Sequence, residues 1–124
     1  MARWLIDGMN VIGSRPDGWW RDRRGAMRSL SEELGELARV RGDELTVIFD
    51  GRPFELDAPE GVSVEFATRG GPNAADDDIA AVVERDPDPA ALTVVTSDRT
   101  LAERVRRAGA AVEGAGDFRR RLDR

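Results

Sequence analysis

The sequence predicts an α/β fold, a three-layer α/β/α sandwich around a mostly parallel sheet of four or five strands. Two observations lead to this prediction. Short apolar runs rich in β-branched residues alternate with longer stretches in which apolar residues recur every three or four positions. Strands that alternate with helices form parallel sheets covered on both faces. The second observation is length: 124 residues without a linker or repeat predict a single domain over residues 1–124.

The first half of the chain contains two predicted strands and one long helix. Residues 3–7 form a short apolar strand, and the glycine- and proline-rich residues 8–21 that follow predict a loop. We expect a helix from about Asp22 to Arg41, because its apolar residues are spaced by three and four and Gly42 can end it. Residues 45–50 give the second strand.

The second half continues the alternation, except that no helix is predicted between the second and third strands. Residues 62–66 alternate between apolar and polar side chains, which is typical of a less buried edge strand. A helix from 74 to about 85 follows a loop at 67–73, with Asn73 as its N-cap. The remaining elements are a strand at 92–97, a helix from Thr100 to Ala108, a short strand from Ala110 to Glu113 and a basic helix from Asp117 to Arg124.

Three absent residue types exclude whole classes of chemistry. The chain has no cysteine and no histidine, so disulfides, zinc–thiolate sites, histidine ligands and serine–histidine triads are excluded. All 19 basic residues are arginine, which excludes lysine Schiff bases and a P-loop lysine. A net charge of −5 argues against a broad, non-specific binder of nucleic acid. With no signal peptide and no membrane span in the sequence, we expect a cytoplasmic protein.

Four aspartates follow predicted strands or open a predicted helix. Asp7, Asp50 and Asp98 come directly after apolar runs, and Asp76 lies at the start of the 74–85 helix. Because the carboxyl ends of parallel strands share one edge of a sheet, these side chains should meet there. Several carboxylates in one crevice repel one another unless a cation neutralises them. Since only oxygen ligands are available, the favoured cation is Mg²⁺ or Mn²⁺.

Each of these positions also has an ordinary structural explanation. Asp7 begins an Asp-Gly pair that is common in turns, and Asp98 could cap the helix after it. Asp50 fits a supporting position or a turn better than a metal ligand. Asn10 could place its amide over the crevice, either as a ligand or as a brace for Asp7.

The acidic triplet of residues 76–78 exceeds what helix stability requires. The helix dipole stabilises an acid in the first turn by roughly 0.3–1 kcal/mol, which explains one or two acids but not three that repel each other. Helix geometry places Asp76 on the same side as Ile79, so it leans towards the sheet and is the preferred site residue. Asp77 is the second choice, and Asp78 is expected to be solvated.

Arginines surround the predicted crevice, as a polyanion-binding rim would require, although a surface ion pair is the simpler explanation for any one of them. The two tryptophans Trp19 and Trp20 could form a hydrophobic staple or a stacking platform for bases, and we expect at least one to be buried. The rim arginines are Arg15, Arg21, Arg23, Arg24, Arg52, Arg69 and Arg99.

Four segments together resemble the NYN branch of the PIN-like ribonuclease superfamily, especially its small bacterial single-domain members. They are LIDGMNVIG (5–13), VIFDG (47–51), NAADDDIAAVV (73–83) and VVTSDRTLAERVRRAGA (94–110). DG-x-N, ADD-x-I and TSD in this order form a fairly specific set, whereas any one alone is weak. Met9 departs from the pattern, because an aromatic or polar residue is often found at that position.

The resemblance implies a compact PIN-like sandwich and metal-dependent, usually endonucleolytic cleavage of RNA. It implies that Asp7, Asp76 and Asp98 are the core acids and metal ligands, with Asn10 and Asp77 assisting. The rim arginines then become candidate RNA contacts, and we select Arg15, Arg69 and Arg99.

The expected function is hydrolysis of phosphodiester bonds in single-stranded RNA with Mg²⁺ or Mn²⁺. An alternative is a non-catalytic RNA- or ribosome-binding module with the same fold, and a toxin-like nuclease would share the chemistry. A haloacid-dehalogenase-type phosphatase is disfavoured because it needs Asp-x-Asp, whereas this chain has Asp7-Gly8-Met9. A response-regulator receiver is disfavoured because it needs a lysine at a strand end.

Overall fold

The computed structural model describes residues 2–71 and 73–123, which form five strands and five α-helices. Two short 3₁₀ turns, Trp19–Arg21 and Pro89–Ala91, lie between them. Within the described ranges, no helix has the length and apolar character needed to cross a membrane. In chain order the elements are β1 (Arg3–Asp7), α1 (Gly8–Gly13), α2 (Arg23–Arg41), β2 (Glu44–Phe49), β3 (Val62–Phe66), α3 (Ala74–Arg85), β4 (Leu92–Val95), α4 (Arg99–Arg107), β5 (Ala111–Glu113) and α5 (Ala115–Leu122).

The strands form one parallel sheet in the order β3-β2-β1-β4-β5. β1 lies at the centre and pairs with β2 on one side and β4 on the other. All five strands point the same way, so their carboxyl ends lie along one edge of the sheet, which we call the carboxyl edge. The predicted α/β class, the parallel sheet and the edge position of residues 62–66 are confirmed.

Helices cover both faces of the sheet, because the side chains of a strand point alternately to its two sides. Ile6 of β1 packs into a core with Leu30 of α2 and Phe118 of α5. Leu5, the next residue along β1, packs on the opposite face with Ile79 of α3 and Leu101 of α4. These two cores give the three predicted layers.

The connection from β2 to β3 contains no helix, as the sequence predicted, and it passes close to α2. A Cβ atom on Gly35, in the middle of α2, would lie 2.5 Å from Cβ of Pro59 in this connection. A glycine inside a helix normally weakens it. Here it allows the connection to lie directly against the helix, so Gly35 has a packing role.

The predicted loop at 8–21 is wrong at its start, where residues 8–13 form α1. Six residues are too few for a reliable helical period, and their glycines indicated a turn. Val11 and Ile12 are buried in the core beneath this helix, which explains why the segment is helical. The last helix also begins earlier than predicted, at Ala115, because the hydroxyl of Ser97 accepts a 2.8 Å hydrogen bond from its backbone N–H. The predicted end at Arg124 lies outside the described residues.

Candidate functional site

The carboxyl edge of the sheet carries four aspartates from four different chain segments. Asp7 ends β1, Asp50 follows β2, Asp98 follows β4 and precedes α4, and Asp76 lies in the first turn of α3. Their charges interact: Asp76 and Asp50 both raise the pKa of Asp7, and Asp98 and Asp50 both raise the pKa of Asp76. The topology thus brings together in space four carboxylates that are far apart in sequence.

Asp7 is the most buried of the four, with 5% of its surface exposed. Burial is the main reason that its pKa rises from 3.8 to about 7, because a carboxylate loses hydration inside the protein. A 3.0 Å hydrogen bond from the hydroxyl of Thr96 to Oδ2 of Asp7 acts in the opposite direction and stabilises the charged form. Thr96 therefore fixes the orientation of the Asp7 carboxylate.

Asp76 is half-buried, and its pKa is raised from 3.8 to about 6. Loss of hydration is again the main cause, followed by the negative charges of Asp98 and Asp50. The side chain lines a cleft of about 210 Å³ together with Thr100 and Arg104 of α4. Helix geometry placed Asp76 on the sheet side of α3, and the structure has it there, between the acids that end the strands.

Asp98 has a structural role that coexists with its place in the acidic group. Its Oδ1 accepts a 2.9 Å hydrogen bond from the N–H of Leu101, so it caps α4. Its own N–H donates a 3.1 Å hydrogen bond to the hydroxyl oxygen of Thr96. Thr96 therefore links the backbone at Asp98 to the carboxylate of Asp7, across the ends of two neighbouring strands.

Asp50 holds the start of α3 in place. Its Oδ1 accepts a 2.8 Å hydrogen bond from the N–H of Ala75, the second residue of that helix. Asn73 occupies the predicted N-cap position of α3, but it adopts a left-handed conformation (φ 58°) and its side chain makes no capping hydrogen bond. The sequence signal for Asp50 was present, since it follows a strand as Asp7 does, but its helix partner lies 25 residues away.

Asn10 connects α1 to the loop after β4. Its side-chain oxygen accepts a 2.7 Å hydrogen bond from the N–H of Ser97. The hydroxyl of Ser97 in turn accepts the hydrogen bond from Ala115 that begins α5. Asn10 thus holds the loop that carries Thr96 and Asp98, which is a supporting position beside the acids.

The other two acids of the triplet are engaged by neighbouring groups of the protein. Asp77 is half-exposed and forms ion pairs with Arg69 and, at 2.9 Å, with Arg104. Its hydrogen bonds from these two arginines lower its pKa. Asp78 accepts hydrogen bonds from the N–H and the hydroxyl of Thr68, at 2.8 and 2.9 Å. Asp78, which was expected to be solvated, is partly exposed and also fixes the loop that follows β3.

The predicted RNA-binding arginines lie in three different surroundings. Arg15 follows α1 and is paired with Asp123, and Arg69 is paired with Asp77. Arg99 opens α4 and lines an open cleft of about 370 Å³ with Thr96 and other residues around the β4–α4 loop.

Mg²⁺ and Mn²⁺ are compatible with the donor atoms of this crevice, which are carboxylate, hydroxyl and amide oxygens. A bound dication would also offset the repulsion that raises the pKa values of Asp7 and Asp76. Within residues 2–71 and 73–123, however, no three or more acidic side chains are already spaced to hold a metal ion. Several carboxylate oxygens are instead engaged as caps or braces, as in Asp50 and Asp98.

Comparison with known proteins places the chain in a family. The family model described as "YacP-like NYN domain" matches residues 4–124, nearly the whole chain. The chain belongs to the YacP-like NYN domain family. NYN domains are an RNase-type, generally nuclease-like family, so the suspected relationship is confirmed.

Solved structures show the same fold for this NYN domain. A tryptophan-to-leucine variant of Rae1 (YacP) from Bacillus subtilis matches with a TM-score of 0.81 and 24% identity, over 99% of this chain and 76% of that one. Another structure of the same Bacillus protein matches with a TM-score of 0.75 and 22% identity, over 99% of this chain and 74% of that one. No curated protein matches the sequence.

Proposed function

We propose that this NYN domain is a metal-dependent endoribonuclease that hydrolyses phosphodiester bonds of single-stranded RNA in the crevice at the carboxyl edge. The family supports the reaction class, since RNA is the substrate that an RNase-type domain implies. The observation that carries the proposal is the meeting of Asp7, Asp50, Asp76 and Asp98 at one edge of the sheet, where burial, followed by repulsion between these carboxylates, raises the pKa of Asp7 to about 7 and that of Asp76 to about 6.

Asp7, Asp76 and Asp98 would hold the cation, Mg²⁺ or Mn²⁺. When bound, such an ion activates water and stabilises negative charge on phosphate oxygens. Other residues of the protein would hold these ligands in position. Thr96 orients the Asp7 carboxylate and favours its charged form through a 3.0 Å hydrogen bond. Asn10 assists by fixing the loop of residues 96–98 through the N–H of Ser97.

Arginines at the rim would neutralise phosphates that flank the cleaved bond. Arg104 and Arg69 already hold Asp77 beside Asp76. This arrangement supports an assisting role for Asp77, which keeps two guanidiniums next to the crevice. Arg99 lies on the other side of the site, at the start of α4. Arg15, after α1, would contact RNA farther from the acids.

The proposal is tested by cleavage of an end-labelled single-stranded RNA with Mn²⁺ and with a chelator. Asp7→Asn and Asp98→Asn should each lower the rate at least about a hundredfold, since even residues behind metal ligands contribute 10- to 100-fold. Asp88→Asn is the matched control, because Asp88 is exposed in the connection from α3 to β4, at the opposite edge of the sheet. Equal cleavage by wild type and both site variants would contradict the assignment.

A calorimetric titration with Mn²⁺ separates the enzyme from a non-catalytic RNA- or ribosome-binding module with the same fold. The enzyme should bind Mn²⁺ with an affinity that Asp7→Asn removes and Asp88→Asn preserves. RNA binding without metal binding or cleavage would favour the non-catalytic module.

A further inference from the structure

An exposed tryptophan lies beside the start of α2, outside the acidic crevice. Trp20 has 56% of its surface exposed, although large aromatic side chains are usually buried. It contacts Trp19 edge-on, with ring centres 6.0 Å apart, and Trp19 packs against the core. Trp19 therefore anchors the segment, and Trp20 presents a ring surface to solvent, so only one of the two tryptophans is needed for packing.

Arginines around the start of α2 lie over aromatic rings. The guanidiniums of Arg24 and Arg28, one helical turn apart on α2, both lie over Phe54, at 5.0 and 5.1 Å from the ring centre. Phe54 itself packs against Phe66 of β3, with 5.5 Å between ring centres. Arg21 and Arg23 lie over Trp20 and Trp19 in the same way, at 5.9 and 5.7 Å.

These arginines differ from most others in the chain. Among the described residues, Arg21, Arg23, Arg24 and Arg28 form no ion pair with a carboxylate. The nearest acids in sequence are already engaged, because Asp17 and Asp22 accept hydrogen bonds from the backbone N–H groups of Trp19 and Gly25. Four exposed positive charges therefore lie close together in sequence, between Arg21 and Arg28 around the start of α2, in a chain whose net charge is −5.

A guanidinium over a ring keeps its N–H groups available. The ring contacts the flat face of the arginine, while the donors around its edge can form paired hydrogen bonds with phosphate oxygens. Stacking also restricts the side chain before a ligand arrives, which reduces the entropy lost on binding. We refer to this surface as the arginine–aromatic face; it consists of Trp20, Arg21, Arg23, Arg24, Arg28 and Phe54.

The arginine–aromatic face begins at the same edge of the sheet as the acids. α2 starts after β1 and α1 and returns to the beginning of β2, so its first turn lies at the carboxyl edge. Phe54 follows Asp50 by four residues in the loop that leaves this edge. A chain of nucleotides leaving the crevice can therefore continue across Phe54 and the first turns of α2.

We infer that the arginine–aromatic face binds single-stranded RNA beside the cleaved bond, an inference that rests on the proposed function. Trp20 stacks on an unpaired base, and Arg24 and Arg28 contact successive phosphates. An exposed aromatic ring near cations that form no ion pair suits a single strand, because bases offer flat faces and the backbone offers charge. A duplex hides its base faces and cannot use Trp20 in this way.

The first test measures binding to a fluorescein-labelled oligoadenylate of about twelve nucleotides, by anisotropy in a chelator so that no cleavage occurs. Trp20→Ala should weaken binding about tenfold, the size expected for one stacked base, and Trp20→Phe should restore most of it. Val40→Ala is the matched control, since Val40 is also exposed on α2 (68%) but near its far end. Melting temperatures verify that each variant is folded.

The second test uses the double variant Arg24→Gln and Arg28→Gln. Losing two phosphate contacts should reduce the slope of log affinity against log salt by about 1.4, at roughly 0.7 per phosphate for a single strand. The control is the double variant Arg39→Gln and Arg85→Gln, which removes the same charge from the last turns of α2 and α3, away from the arginine–aromatic face. Its salt slope should stay near that of wild type.

The outcomes distinguish this inference from the proposed function. If wild type does not bind the oligomer, if both sets of variants bind it like wild type, or if a duplex of the same length binds equally well, the inference is overturned. Metal-dependent cleavage by wild type would still leave the proposed function standing. Tenfold weaker binding by Trp20→Ala, without cleavage by wild type under any condition, would support the face and contradict the enzyme.

Discussion

The hydroxyl of Thr96 and the carboxylate of Asp7 form a 3.0 Å hydrogen bond between the ends of the neighbouring strands β4 and β1. Both side chains are buried, at 1% and 5% exposure. The same hydroxyl oxygen accepts from the N–H of Asp98. One threonine therefore couples two of the candidate metal ligands, and its removal should affect both.

Thr96→Val should weaken metal binding without greatly changing the packing volume. Loss of the hydroxyl removes the interaction that favours charged Asp7, so the pKa of Asp7 should rise further above about 7. It also leaves the N–H of Asp98 without its partner. We expect Mn²⁺ affinity at neutral pH to fall by about 10- to 100-fold in a calorimetric titration. Thr96→Ser keeps the hydroxyl and should bind nearly like wild type; equal loss in both would contradict the role assigned to this oxygen.

Asp7→Asn should stabilise the metal-free protein, increasingly so as pH rises. Folding raises the pKa of Asp7 from 3.8 to about 7. At pH values below 3.8 both states hold the proton, whereas between 3.8 and about 7 only the folded state keeps it, so the folded state of wild type loses stability as pH increases. The full penalty above pH 7 is on the order of 4 kcal/mol, at about 1.36 kcal/mol per pKa unit. Urea unfolding of wild type and Asp7→Asn across this pH range measures the difference in their unfolding free energies. A difference that does not change with pH would contradict the raised pKa of Asp7.

Asp43→Asn should have the opposite effect on stability. Burial alone would raise the pKa of Asp43, but hydrogen bonds from Trp4, Ala2 and Arg41 outweigh it and lower the pKa. The stabilisation from charged Asp43 is present above the unfolded pKa and is lost as pH falls through the folded one. We expect the variant to lose about 2 kcal/mol at neutral pH, since an amide cannot accept all three bonds. Asp43 lies before β2, at the edge opposite the acids, so cleavage per folded molecule should not change.

Asp50→Ala should destabilise α3 and also change the acidic crevice. Without its carboxylate the N–H of Ala75 loses a 2.8 Å partner, which costs about 1 kcal/mol for a capping interaction. The pKa values of Asp7 and Asp76 should fall, because Asp50 raises both. Asn73→Gly is the control: its left-handed backbone suits glycine, and we expect a change in unfolding free energy below about 0.5 kcal/mol. A larger loss for Asn73→Gly than for Asp50→Ala would restore Asn73 as the cap.

The sequence predicted most elements because their signals are local. Apolar runs ending in Asp7, Asp50 and Asp98 marked the strands and also the edge where these acids meet. The apolar residues of α2, spaced by three and four, and the acids at the start of α3 were equally clear signals in the sequence. Parallel order follows from strands alternating with helices, so fold class required no long-range information.

Contacts between distant residues were not predictable in the same way. The cap of α3 comes from Asp50, 25 residues before the hydrogen-bonded N–H, whereas local reasoning selected the adjacent Asn73. Asp77 differs from Asp76 because α4 places Arg104 beside it, which depends on how two helices pack. The pattern identified acids and arginines as candidates, but only their partners in space separate side chains that face the crevice from those already paired.

Gly8→Ala should disrupt the site through packing alone. A Cβ atom on Gly8 would lie 2.4 and 2.6 Å from two ring carbons of Phe49 and 2.9 Å from Val47, and both side chains are fully buried. The first turn of α1 would have to move, and Asp7 and Asn10 on either side would move with it. We expect a loss of about 1–3 kcal/mol in unfolding free energy, together with weaker Mn²⁺ binding.

Gly13→Ala provides the control for Gly8→Ala within the same helix. Among the described residues, and apart from its chain neighbours and the backbone of its own helix, nothing lies within 4 Å of the position that its Cβ would occupy, so alanine should be neutral or stabilising. In the double variant Gly8→Ala and Phe49→Leu, a smaller side chain replaces the clashing ring and frees space for the added methyl group. This variant should recover part of the Mn²⁺ affinity that Gly8→Ala loses. If Gly8→Ala binds Mn²⁺ as tightly as Gly13→Ala does, then close packing of α1 against β2 does not set the position of Asp7.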